Sequence, residues 1–148
     1  MQSSKKSILR IFAIFDGRLG HEKQTLGIIQ ALQDYIPVEL TEIRVERASV
    51  VKSILDTVRF FFPGEGVKHA ALAHADLLIG TGTQTHLPLL LYKKGSTAPV
   101  CTCMTPAYHL RKFFDLCFIP THDGVPLQQN VVHTIGAPNN CTNKQGHH

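Results

Sequence analysis

Residues 15 to 28, FDGRLGHEKQTLGI, set two glycines, an arginine and a histidine between an apolar run and an amphipathic one. Imidazole is the side chain that titrates near neutrality, so His21 is the candidate base for taking a proton from a hydroxyl. Gly17 and Gly20 permit positive φ and a close backbone approach. A helix starting near Glu22 would aim its free N–H groups and the positive end of its dipole back at this loop. With Arg18 as counter-charge, Gly17, Arg18 and Gly20 suit an anion such as a phosphate, held beside His21. The same residue types also make an ordinary tight turn, and one glycine-rich loop does not decide between the two.

A second loop, GTGTQTH (80–86), again follows an apolar run and opens a helix. Gly80 and Gly82 start it as a dinucleotide fingerprint starts, but Thr85 stands where the third glycine belongs, and no Gly-Lys-Ser/Thr follows. Thr81, Thr83 and Gln84 offer hydroxyl, amide and backbone donors to a ligand, with Thr83 also the expected helix cap.

The elements that must position these loops can be read from periodicity. ILRIFAIF (8–15) is a continuous apolar run, as in a strand covered on both faces. QTLGIIQALQDYI (24–36) has helical spacing. VELTEIRVE (38–46) alternates and belongs nearer a sheet edge. SVVKSILDTVRFFF (49–62) is helical again until PGEG breaks it. A short helix in GVKHAALAHA, a strand DLLIG (76–80) and a helix QTHLPLLLYKK follow, the last with Pro88 expected in its first turn. Strands APVCTCM (98–104) and DLCFIP (115–120) flank the helix-like PAYHLRKFF, and NVVHTIG (130–136) is a final strand.

Strands alternating with helices specify an α/β protein: a Rossmann-like three-layer domain with a mainly parallel sheet, over residues 1–138, with an irregular tail at 139–148. In such a sheet, ligands bind beyond the carboxyl ends of the strands, at the switch point. Five loops supply that edge: 16–24, 80–86, 104–107, 121–124 and 136–139.

Composition narrows the partners. The 148 residues carry a net charge of +4 with no tryptophan, and the basic residues are scattered, so no nucleic acid is expected. Cys101, Cys103 and Cys117 sit in apolar strand-like runs as small buried hydrophobes; they lack a second CxxC or a spaced histidine pair, so no metal and no cofactor is expected. The start, MQSSKKSILRIFAIFDG, is interrupted by Arg10 and closes on Asp16, unlike a secretory leader. The longest later apolar run, LPLLLY, is far short of the roughly 20 residues of a membrane span. The expected location is cytoplasmic. VRFFFPGEGVKH reads as a helix end packing into the core; a lipid-facing wedge of Phe60, Phe61 and Phe62 with basic neighbours, giving peripheral membrane contact, is the alternative.

Four blocks, DGRLGHEKQTLGIIQAL, ADLLIGTGTQTHLPLLLYKK, FDLCFIPTHD and NVVHTIGAPN, resemble the mitochondrial fission ELM1-type family. Its opening motif, D-G-x-x-G-H-x-x-Q-x-x-G-L, is met by Asp16, Gly17, Gly20, His21, Gln24 and Gly27, with Ile28 in place of the leucine. That family in turn resembles the two-domain GT-B glycosyltransferases. The resemblance implies an acceptor-side domain that binds an anionic or lipid-linked acceptor, with His21 as general base and Asp16 and Gln24 joining the ligand-binding set. It also implies that a nucleotide-sugar lies mainly on a second domain or partner chain, so that this half alone is inactive. The rival implication is a non-catalytic recruitment module on the same fold.

Overall fold

The computed structural model describes residues 7–134; the tail at 139–148 and the loop at 136–139 lie outside them. Strand β1 (Leu9–Phe15) leads through helix α1 (Leu19–Gln33) to β2 (Val38–Arg44) and helix α2 (Val50–Phe61). A 3₁₀ turn (Ala70–His74) precedes β3 (Leu77–Thr81), helix α3 (Thr83–Lys93) and β4 (Val100–Cys103). The one-turn helix α4 (Tyr108–Arg111), β5 (Leu116–Pro120), a second 3₁₀ turn (Thr121–Asp123) and β6 (Val131–Thr134) complete the described chain.

All six strands run parallel, in the order β2-β1-β3-β4-β5-β6. β2 is an edge strand, and its residues are half-buried or exposed, none of them fully buried. β1 pairs over its full length with β2, Leu9 opposite Val38 through Phe15 opposite Arg44, and with β3 on its other side. The chain turns back on itself there, so the switch point falls between β1 and β3.

Two cores seal the sheet. Ile11, Ala13, Phe15, Ile79 and Cys101 pack under α1 through Ile29. Phe12, Ile14, Leu78 and Val100 pack on the opposite face against Leu89 and Leu90 of α3, with Leu110 and Phe114 beyond. Alternate residues of β1 therefore enter different cores, and both sets are buried.

Several boundaries differ from the periodicity reading. Helix α1 begins at Leu19 rather than near Glu22, because the Asp16 carboxylate accepts the Arg18 amide and the Arg18 carbonyl already accepts from Glu22. Gly20 and His21 thus occupy the first helical turn, and of the two loop glycines only Gly17, at φ +83°, uses positive φ. Thr83 is not the cap of α3: Gly82 is, its carbonyl accepting both the Thr85 amide and the Thr85 hydroxyl. Pro88 lies in the second turn of α3, not the first, on the side that faces α2. The segment 66–75 makes only a 3₁₀ turn, and PAYHLRKFF only one helical turn.

Leu89 is fully buried between α3 and the sheet. Leu89→Ala is expected to lower unfolding free energy by about 3 kcal/mol, the scale of a buried leucine truncation, measurable by urea denaturation.

Candidate functional site

The carboxyl ends of β1 and β3 carry the two glycine-containing loops to one place. Asp16 follows the last residue of β1, and its side chain is only 2% exposed. One carboxylate oxygen, Oδ1, accepts the Arg18 amide at 3.0 Å; the other, Oδ2, lies 2.6 Å from Nδ1 of His21. A carboxylate only accepts, so neutral His21 carries its proton on Nδ1 and leaves Nε2 as the acceptor. The ring retains 17% exposure, so it is held yet reachable. Asp16 and His21 form an oriented carboxylate–imidazole pair.

Gly82 forms the wall behind this pair. Its φ is +103°, and a Cβ built there would stand 2.4 Å from His21 Nδ1 and 2.7 Å from Asp16 Oδ2. The second loop therefore serves the first by backbone proximity, which only glycine permits. Gly80, one residue before β3 ends, is also closely approached, with a built Cβ 3.1 Å from the Ile14 carbonyl and from Thr85.

The remaining residues of the expected ligand set divide. The Thr81 hydroxyl is buried and bonded at 2.8 Å to the Thr25 hydroxyl, locking α1 to β3. The Gln84 side-chain carbonyl accepts the Ala48 amide at 3.0 Å and ties α3 to the segment before α2. Arg18, Gly20 and Thr83 are exposed at the edge, and Gln24 is half-buried one turn beyond His21. Glu22 is tied to Arg44 at 2.7 Å, fastening α1 to the end of β2.

Next to the pair, a groove of about 630 Å³ opens between α2 and α3, with Arg47, Lys52, Thr83, His86 and Pro88 among its walls. His86, which periodicity alone places among the apolar residues of α3, is 2% exposed and stacks edge-on to Phe114. Its Nε2 has no hydrogen-bond partner among the described residues. Burial lowers the imidazole from 6.5 to about 4, against an opposing contact with the Cys103 backbone, and the nearby His21 pushes the same way as burial. The sequence signal for it is the spacing of His86 with Leu89 and Leu90 on one helical face.

Burial also pushes the thiols up, Cys101 to about 12 and Cys103 and Cys117 to about 11, which leaves them protonated hydrophobes. Among the described residues no group of three or more His, Cys, Asp or Glu is arranged to hold a metal ion. No described helix is long and apolar enough to cross a membrane.

An all-parallel six-stranded sheet between helical layers, with its polar cluster at the switch point, defines a Rossmann-like α/β protein. The family model for Mitochondrial fission ELM1 matches residues 19–148, and the chain belongs to that family. No curated protein and no solved structure matches it.

Two outcomes test this geometry. Gly82→Ala must push its methyl against His21 in a strained backbone, so it is expected to cost about 1–3 kcal/mol and to move the His21 ring signals in an NMR spectrum. For His86, the unfolded chain takes a proton below pH 6.5 and the folded chain only below about 4. The contribution is complete above 6.5 and is lost as pH falls through that window, by up to about 3 kcal/mol. Urea denaturation at a series of pH values should show this slope, reduced in His86→Leu.

Proposed function

We propose that this chain is the acceptor-side domain of a GT-B-like glycosyl transfer, with His21 as general base for an acceptor that carries a phosphate. The observation that supports this most directly is the 2.6 Å contact between Asp16 Oδ2 and His21 Nδ1 at the β1/β3 switch point. In this reading Nε2 of His21 removes the proton from an acceptor hydroxyl as its oxygen bonds to the anomeric carbon of the donor. The bond from that carbon to the nucleotide diphosphate breaks, and the leaving group departs with its electron pair. Asp16 fixes the imidazole tautomer and stabilises the imidazolium formed.

The first N–H groups of α1, from Leu19, Gly20 and His21, have no partner within the helix and directly follow the exposed Arg18, which suits an acceptor phosphate. Held there, the acceptor hydroxyl is oriented as well as deprotonated. The nucleotide-sugar belongs, in this reading, to a second domain or a partner chain.

A recruitment module is the second reading, and the feature that favours it is the apolar outer face of α2, from Val50 to Phe61. The two separate in a titration with inorganic phosphate followed by amide NMR. Acceptor binding predicts that Leu19, Gly20 and His21 shift first, and that the shifts shrink in Arg18→Ala. Stationary signals at these three amides, with movement elsewhere, would remove the support for a phosphate-bearing acceptor.

A further inference from the structure

Helix α2 is turned inside out. Its residues Ser53, Asp56, Thr57 and Phe60 are the half-buried ones, and none of its residues is fully buried. Val50, Val51, Ile54, Leu55, Val58 and Phe61 instead face outward with 48–76% of their surface exposed. At 100° per residue these six share one contiguous arc. The polar side is directed to the protein and the apolar side away from it. Phe62 continues the arc past the helix end at 64% exposure.

The helix is nonetheless firmly placed. Phe60 stacks edge-on to Phe113, the Arg59 guanidinium donates to the Gly66 carbonyl, and the Lys94 ammonium donates to the carbonyls of Arg59 and Phe62. Ser49 caps its start by accepting the Lys52 amide. The outward orientation is thus built into the fold.

Cations border the apolar arc. Lys52 and Arg59 are two turns apart along one margin, Arg47 stands before the helix, and Lys112 lies beside Phe61 and Tyr108 at its far end. Among the neighbouring acids, Asp56 turns inward and holds Lys52 at 2.6 Å, and Glu65 is paired with Lys68 at 2.8 Å, while Glu46 adjoins Arg47. An apolar arc margined by long basic side chains is the pattern of a helix lying in a lipid interface, where aliphatic stems are buried and charges reach the phosphates. A second copy is a poorer fit. It would bring the same positive rim of Arg47, Lys52, Arg59 and Lys112 against itself, which like-charge repulsion opposes.

We propose that the outer face of α2 seats this protein on an anionic phospholipid surface, with the apolar arc at the acyl-chain boundary and Arg47, Lys52, Arg59 and Lys112 at the level of the phosphates. This assignment does not depend on the glycosyl-transfer reading.

The chain contains no tryptophan, so Phe62→Trp introduces a single reporter at an exposed position. Its emission is expected to move to shorter wavelength with vesicles of phosphatidylcholine plus phosphatidylglycerol, to move little with phosphatidylcholine alone, and to revert as salt is raised. In co-sedimentation, the double variant Ile54→Ser/Val58→Ser is expected to lower partitioning at least about tenfold with an unchanged melting curve, since both side chains are exposed. The proposal is overturned if the indole emission of the Phe62→Trp variant ignores anionic vesicles, or if the double variant binds as well as the parent. It is equally overturned if sedimentation velocity finds a dimer that the double variant dissolves, which would assign the face to a second copy.

Discussion

The rest of the structure depends on β1 being buried on both faces while it pairs in parallel on both sides. Phe12 and Ile14 enter one core, and Ile11, Ala13 and Phe15 enter the other. A parallel neighbour is reached only by a crossover that leaves at the carboxyl end of a strand and re-enters at the amino end of the next. The chain makes one crossover through α1 to reach β2 and another, on the opposite face, to reach β3. The two cores demand this arrangement, since one crossover seals each. Its by-product is a cleft at the carboxyl ends of β1 and β3, where the covering layers part.

The polar residues at that cleft are ordered by the cost of burying charge. An almost wholly enclosed carboxylate such as Asp16 is tolerable only when its oxygens are met, and the Arg18 amide and His21 ring meet them. The same contacts start α1 at Leu19, three residues before Glu22. Gly82 then fits its backbone against the pair, and the Thr25–Thr81 hydroxyl bond fixes α1, which carries His21, against β3, which leads to Gly82. The pair is held by α1 and by strand ends rather than by a free loop, which is the kind of support a precise site needs.

On the opposite face the helical layer is less complete. α3 is buried along Leu89, Leu90 and Leu91, whereas α2 rests on it mainly through Phe60 and through Lys94, which satisfies carbonyls at the end of α2 in the way a helix cap does. Of the three phenylalanines in VRFFF, Phe60 packs against the core and Phe61 and Phe62 do not. The single segment therefore contains both a core anchor and an outward apolar edge, separated by the 100° rotation between adjacent helical residues. The groove beside it, with buried His86 in its wall, is lined on the α2 side by Lys52, Ser53, Asp56 and Arg59.

Local patterning along the chain specifies the α/β class, the order of the strands and helices, the edge position of β2 and the association of the two glycine loops with one end of the sheet. These follow from patterns within a few residues: continuous apolar runs for doubly covered strands, 3.6-residue spacing for helices, and glycine between them. It also carried the family, through the spacing of Asp16, Gly17, Gly20, His21 and Gln24. Contacts in the folded protein establish that the Asp16 carboxylate meets His21, that Gly82 is the wall behind them, and that the Thr81 hydroxyl and Gln84 carbonyl are engaged within the protein. Those contacts alone bury His86 without a partner for Nε2 among the described residues and turn the apolar side of α2 outward. The reason is the same in each case. Periodicity reports that a helix has two unlike faces, and residue type reports what a side chain can bond, but which face turns inward and which atom lies within 3 Å are set by contacts between segments far apart in the chain.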